Sequence, residues 1–288
     1  MKKTTTKITA LMMASVLFMS GCVRTNTGNS RNENNDLPVN PDDFNTTIDY
    51  EDLDRCSFNE GDFNSDYNTY TFNLMSEILN NSDPDMNVMV SPASIMFAMD
   101  LAAAGANGDT LTQITNVFSE GADPMEQQAF AASMMDRINS SEEVNFSCAN
   151  AVWTNRLLMS TGLNPDYQEY IEEHFDAEAF QEDFGMETVE EINSWIDDNT
   201  YGMIQHVLDD LEPDTATVLV NAIAFDGAWA EPYEDYQVQE MTFNTSSGDQ
   251  IDVQMLCDSS YYYFENEEAT GFIRSYEGGQ YSLLVMQP

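Results

Sequence analysis

The sequence predicts one large α+β domain, because helical patterns dominate up to about residue 202 and strand patterns dominate after about residue 230. Apolar residues recur three or four positions apart between residues 67 and 79, and again between residues 167 and 175. Beyond about residue 230 this spacing gives way to short apolar or alternating runs, which Ser-Gly-Asp and Gly-Gly turns separate. A polar stretch with few apolar residues comes before both parts, so we expect the folded domain to occupy residues 51–288.

The predicted helices begin and end at local signals. The first helix has an apolar face and stops at the polar run 80–84; the face comprises Tyr67, Tyr70, Leu74, Ile78 and Leu79. Asn164 followed by Pro165 predicts the start of another helix, which carries His174 on its apolar face. Thr188 and Glu191 have the spacing of a capping box and predict a further start, with the end of that helix near Gly202.

The predicted strands follow from alternation and from short apolar runs. They are Val144–Cys148, Ile251–Leu256, Tyr261–Phe264, Phe272–Tyr276 and Tyr281–Met286. Most of them lie in the last third of the sequence, so helices come early and strands come late.

The segment 87–110 predicts a buried helix with a defined start. Ser91 suits the N-cap position, and Pro92 suits the first helical position, where its missing N–H is not needed. The run from Ile95 to Ala104 is so rich in apolar residues that it predicts burial on every side. The hydroxyls of Ser91 and Ser94 enter the interior with this helix, so they need partners from a distant part of the chain.

A second segment, 218–229, predicts a central strand. Val218–Phe225 is apolar at both alternating positions apart from Asn221, which is typical of a strand covered on both faces. A lone buried asparagine also needs hydrogen-bond partners. Trp229 follows shortly after the end of this run.

These two segments, in this order, resemble the signature segments of the serpin family. The resemblance covers residues 66–288 and implies the serpin fold, in which N-terminal helices pack on large mixed and antiparallel β-sheets, here incomplete at the C-terminus. It also implies that Ser91, Ser94 and Asn221 meet in the buried hydrogen-bonded region called the shutter. The same resemblance places Trp229 at the top of the central sheet, in the region called the breach.

For function, the resemblance implies a serine protease inhibitor that traps its target after a cleaved loop inserts into the sheet. The counterparts of that reactive loop, of its hinge and of the shutter histidine are not found in these 288 residues. We therefore expect a truncated serpin that does not inhibit by itself, so no reactive bond is assigned. Two other classes remain open: a non-inhibitory serpin-like binding module, and, remotely, an anchored hydrolase that uses paired carboxylates.

The amino terminus predicts export and a lipid anchor. Residues 1–21 combine three lysines, an apolar run from Ile8 to Phe18 that is too short to span a bilayer, and a small-residue end at Ser20-Gly21. Cys22 follows directly, as in a bacterial lipoprotein signal, and is the expected lipidation site. Residues 22–50 would then be a polar tether at the cell surface. Plain secretion with a coincidental cysteine is the alternative.

Charge excludes one class of partner. The chain has 51 acids against nine basic residues, a net charge of −42, and all of its lysines lie within residues 1–21. Without that segment six arginines face the 51 acids, which gives a net charge of −45. Nucleic acid is therefore excluded as a partner, and an extracellular protease and a membrane, through the anchor, are expected instead.

Other chemistry is sparse, and neither an enzymatic centre nor a metal or cofactor site is predicted. His174 falls on an apolar helical face and His206 near a helix end, so packing or capping roles are expected for both. The remaining cysteines, Cys56, Cys148 and Cys257, are odd in number and show no paired spacing. We interpret them as buried thiols, although an exported setting permits one disulfide.

Overall fold

The computed structural model describes residues 12–20, by their backbone, and residues 53, 56–245, 247–259 and 262–287. The predicted lipidation site Cys22, the tether 22–50 and most of the basic end of the export signal lie outside these ranges. The helices are α1 (Glu60–Asn81), α2 (Pro92–Ala104), α3 (Gly108–Phe118), α4 (Pro124–Asn139), α5 (Pro165–Phe175) and α6 (Met186–Asn199). The strands are β1 (Met12–Ser20), β2 (Asn145–Asn155), β3 (Ala177–Glu182), β4 (Thr215–Asp226), β5 (Val238–Asn244), β6 (Gln250–Leu256), β7 (Tyr263–Glu265), β8 (Thr270–Ser275) and β9 (Ser282–Gln287).

Side-chain caps fix the starts of the helices that were predicted from local signals. Asn164 accepts a hydrogen bond from the backbone N–H of Asp166 at 2.8 Å, which confirms the predicted start of α5. Asn59 does the same for Gly61 at 3.1 Å, so α1 begins at Glu60, well before its apolar face. Both helices therefore begin where an amide oxygen satisfies an otherwise free N–H group.

Helix α2 is buried as predicted, with one exception in its composition. The Ser91 hydroxyl accepts from the N–H of Ser94 at 3.2 Å, and Pro92 occupies the first turn. Asp100 lies in the middle of this helix and is completely buried. The description of 95–104 as apolar on every side is therefore wrong at this position.

Helix α6 begins earlier than the predicted capping box. Its N-cap is Gly185, which has no side chain to cap the helix, and Thr188 lies inside the first turn. The Thr188 hydroxyl donates to the carbonyl of Asp183 at 3.3 Å, so it does not cap the N–H of residue 191. The helix ends at Asn199, and Gly202 follows at a φ of 74°, close to the predicted end.

The largest sheet has the strand order β1–β4–β2–β3. Strand β4 is antiparallel to both of its neighbours, whereas β2 and β3 are parallel. Strand β1 pairs with β4 from Met12 opposite Ala224 to Met19 opposite Thr217, with an irregularity before Ser20. The apolar segment that predicts an export signal is thus an edge strand in the unprocessed chain.

The two faces of this sheet are buried against different helices, as the apolar run of β4 predicts. On one face, Leu219 and Ile223 belong to the main core, together with side chains of α1, α2, α4 and α5. On the other face, Val218 and Val220 pack with Ile192 and Ile196 of α6. The alternation along β4 places Asn221 on the face that carries the main core.

Two smaller antiparallel sheets follow, β5–β6 and β7–β8–β9. They confirm the predicted strands in this region within two residues, whereas β3 and β5 lacked a sequence signal strong enough to predict them. Every residue of β9 is exposed in this chain. Within the described ranges, no helix combines the length and the apolarity needed to cross a bilayer.

Candidate functional site

The candidate site is a buried polar pair inside the large sheet. Asn150 of β2 and Asn221 of β4 lie directly opposite each other in the antiparallel ladder, and neither is accessible to solvent. The Nδ2 atom of Asn221 donates to Oδ1 of Asn150 at 2.9 Å, and Nδ2 of Asn150 donates to the carbonyl of Phe175 at 2.8 Å. These bonds connect β4, β2 and the end of α5 through one continuous network.

The expected contact of Asn221 with Ser91 and Ser94 is corrected by this geometry. Asn221 makes no hydrogen bond to either serine, because its directly opposed neighbour Asn150 takes the donor. The Ser91 hydroxyl serves as the cap of α2 by accepting from the N–H of Ser94 at 3.2 Å. The Oδ1 atom of Asn221 is buried and has no donor within the described residues.

Cys148 completes the surroundings of Asn221. It is almost fully buried in β2, and its sulfur accepts a hydrogen bond from Nδ2 of Asn221 at 3.3 Å. Burial raises the pKa of the Cys148 thiol to about 12, so the thiol is not a nucleophile at neutral pH. Cys56 and Cys257 are partly buried, and none of these three cysteines forms a disulfide. The interpretation of these cysteines as buried thiols therefore holds fully for Cys148 and only in part for the other two.

Trp229 anchors a second cluster just beyond the end of β4. It is buried, and its ring stacks on Tyr276 with the centroids 4.5 Å apart and an interplanar angle of 11°. A backbone bridge joins the same two residues, so this contact ties the segment after β4 to the end of β8. The sequence motif predicted an important tryptophan here but gave no indication of its partner.

Arg274 of β8 holds this cluster together. Its guanidinium lies 3.8 Å from the centroid of the Tyr233 ring, and its Nη1 donates to Oδ2 of Asp258 at 2.9 Å. A further bond goes from Nη2 to the carbonyl of Glu231. The hydrogen bond from Arg274, followed by that from the N–H of Ser259, lowers the pKa of Asp258. Sequence inspection overlooked Arg274, because a lone arginine in a short strand is no motif.

The described residues offer little for catalysis. They contain no group of three or more His, Cys, Asp or Glu side chains that could hold a metal ion. His174 is half-buried against Tyr170, with the ring centroids 4.8 Å apart. The imidazole Nε2 of His206 lies 2.8 Å from Oδ1 of Asp209 on the surface. What the arrangement does offer is a central strand, buried on both faces, with one edge that pairs with an extended segment.

Comparison with known proteins agrees with this architecture. The family model for the serpin (serine protease inhibitor) family matches residues 65–288. An uncharacterized serpin-like protein of Thermococcus kodakarensis is 27% identical over the whole of this chain, which covers 66% of that relative. Iripin-8 of Ixodes ricinus is 30% identical over 64% of this chain, which corresponds to 46% of Iripin-8. The chain thus spans about half to two-thirds of the length of these relatives.

Solved structures give the same result. The thermophilic serpin tengpin in its latent state superposes with a TM-score of 0.72 at 26% identity, covering 81% of this chain and 62% of tengpin. Tengpin in its native state gives a TM-score of 0.69 over 82% of this chain. The α+β serpin fold expected from the sequence is therefore confirmed. With a family match over most of its length, the chain belongs to the serpin family.

Proposed function

We propose that the protein containing this chain is a serine protease inhibitor that acts by strand insertion into the large sheet. The family is one of protease inhibitors rather than of enzymes, which supports the proposal. The observation that carries the proposal is the edge of β4. This edge pairs with an extended antiparallel segment over nine residues while both faces of β4 stay buried.

In this mechanism the serine hydroxyl of the protease attacks the scissile carbonyl of an exposed loop. The scissile C–N bond breaks, the amine on its far side leaves with the proton of the hydroxyl, and the carbonyl remains on the enzyme as an acyl ester. The freed loop then inserts beside the central strand, and the acylated enzyme is trapped before water hydrolyses the ester. Backbone hydrogen bonds to β4 would provide the driving force, as in other cases of strand addition. The free Oδ1 of Asn221 would accept a donor from the histidine that the family resemblance implies.

The proposal is tested by incubating extracellular serine proteases with two proteins, the 288-residue chain and a serpin-length product of the same gene. The longer protein should form a protease complex that survives denaturing electrophoresis, and the shorter chain should form none. Simple cleavage of the longer protein would favour the non-inhibitory alternative. A stable complex with the shorter chain would overturn the expectation that it lacks the reactive bond.

We further propose that the protein is lipidated on Cys22 and held at the outer surface of a bacterial cell. The support is the order of basic end, short apolar run and cysteine at the amino terminus. Growth with a labelled fatty acid should label the chain and bring it down with membranes, and Cys22→Ala should abolish both. Labelling that persists in the Cys22→Ala chain would contradict the anchor, while a Cys257→Ala control should label normally.

A further inference from the structure

Asp100 is an ionisable group in a place where charge is normally excluded. It lies in the middle of α2, its side chain is completely inaccessible, and neither carboxyl oxygen has a hydrogen-bond partner within the described residues. An isolated carboxylate in such a site is very unfavourable, whereas a neutral carboxyl is tolerated. The proposed inhibitory function makes no use of this group.

Among the residues that the structure describes, no cation acts on the carboxyl of Asp100. Gln127 of α4 opposes the shift of the Asp100 pKa, but its buried Nε2 also makes no hydrogen bond of normal geometry. From α1 the facing group is the phenol of Tyr70, whose pKa is raised first by burial, then by Tyr67 and by Asp100. From α5 the phenol of Tyr167 donates to the carbonyl of Leu101 at 2.8 Å. From adjacent β4, Leu219 and Ile223 belong to the same core as α2, and Asn221 between them is neutral.

The arginines of the described chain are already paired elsewhere. No lysine occurs after Lys7. Arg137 pairs with Glu60 at 2.9 Å, Arg156 pairs with Asp183 at 3.0 Å, and Arg274 pairs with Asp258. Burial without a counter-charge raises the pKa of Asp100 well above its usual range.

We propose that Asp100 is a buried proton-binding site that makes this fold more stable in acid than at neutral pH. In the unfolded chain the carboxyl loses its proton near pH 4, whereas in the folded chain it keeps that proton to a higher pH. Stability from this group is therefore complete below about pH 4 and falls as the pH rises towards the folded-state pKa. Protonation of the 51 acids of the chain would act in the same direction, because it relieves their mutual repulsion.

The test compares the thermal unfolding midpoint of the wild type with that of Asp100→Asn between pH 4 and pH 8. Asparagine has nearly the same shape but cannot ionise, so the two midpoints should be closest near pH 4 and diverge as the pH rises. The divergence should be about 3–5 °C per pH unit until Asp100 ionises in the folded wild type. Parallel profiles with a constant offset would overturn the proposal.

Further measurements show whether the pH dependence comes from Asp100 itself. Asp136→Asn removes an exposed helical acid and controls for the change in net charge, so its profile should run parallel to that of the wild type. In unbuffered denaturant at pH 6, the wild type should release about one proton more on unfolding than Asp100→Asn does. If Asp100→Asn does not fold, the infrared spectrum of the wild type at pH 7 provides the test, because a protonated Asp100 should give the band of a neutral carboxyl group. Absence of that band would refute the proposal.

Discussion

The shortest hydrogen bond of Asn221 goes to Asn150, at 2.9 Å. Replacing Asn221 with leucine leaves Oδ1 of Asn150 buried without its donor. We expect Asn221→Leu to lower the free energy of unfolding by about 1–3 kcal/mol, measured from denaturant unfolding. Asn150→Leu should also destabilise, because the carbonyl of Phe175 loses its donor.

The double variant Asn150→Leu/Asn221→Leu provides the control. If the two amides act as a pair, its destabilisation should be smaller than the sum of the two single effects. Strict additivity, or an unchanged midpoint in Asn221→Leu, would show that the pair does not stabilise the sheet.

At the scale of residues, the sequence predicts those roles that depend on neighbours a few positions away along the chain. The cap functions of Ser91 and Asn164 were predictable, since each contacts an N–H only two or three positions away. Asn150 was not, because its importance comes from the register of β2 against a strand about seventy positions later. Asp100 was missed for another reason: one acid within an apolar run changes the average pattern very little.

At the scale of elements, strand β1 supplies the strongest prediction. It covers the edge of β4, and an unpaired edge of this kind invites pairing with another chain. A chain that lacks residues 1–21 should therefore associate in a concentration-dependent way, which light scattering can measure. A chain that lacks only residues 1–11 keeps β1 and should stay monomeric.

Equal behaviour of the two shortened chains would show that β1 does not protect the edge of β4. The same segment has two possible roles, as an edge strand of the large sheet and as an export signal. An export signal is removed during secretion, so its pairing with β4 can occur only in a chain that folds before processing. The loss of β1 would then open the edge on which the proposed insertion depends.

The elements that the sequence did not predict share a physical cause. Strand β3 is short, contains two glutamates, and is fixed by parallel pairing with β2. The start of α6 at Gly185 has no side-chain cap, so the helix is held by packing of Ile192 and Ile196 rather than by a local signal. Tertiary contacts decide these elements, and such contacts leave little trace in a local pattern.

At the scale of the whole molecule, two separated motifs were enough to predict the family and the fold. The segments 87–110 and 218–229 both lie at the large sheet or at the helix packed on it, so their joint presence constrains the chain between them. The order of strands in that sheet could not be predicted from the sequence, because pairing between distant strands depends on the whole set of packing contacts. The burial of both faces of β4 was predictable, since its residues are apolar at both alternating positions.

The ion pairs of the arginines have a consequence for digestion by trypsin-like enzymes, which cut after lysine or arginine. Beyond Lys7 the chain offers such enzymes only six bonds, after the arginines at positions 24, 31, 55, 137, 156 and 274. The last three side chains are held in the folded domain by Glu60, by Asp183 and by Asp258. Within the described domain a trypsin-like protease would therefore meet only three cleavable bonds, each after an ion-paired arginine. Digestion of the folded domain by proteases of this class should therefore be slow.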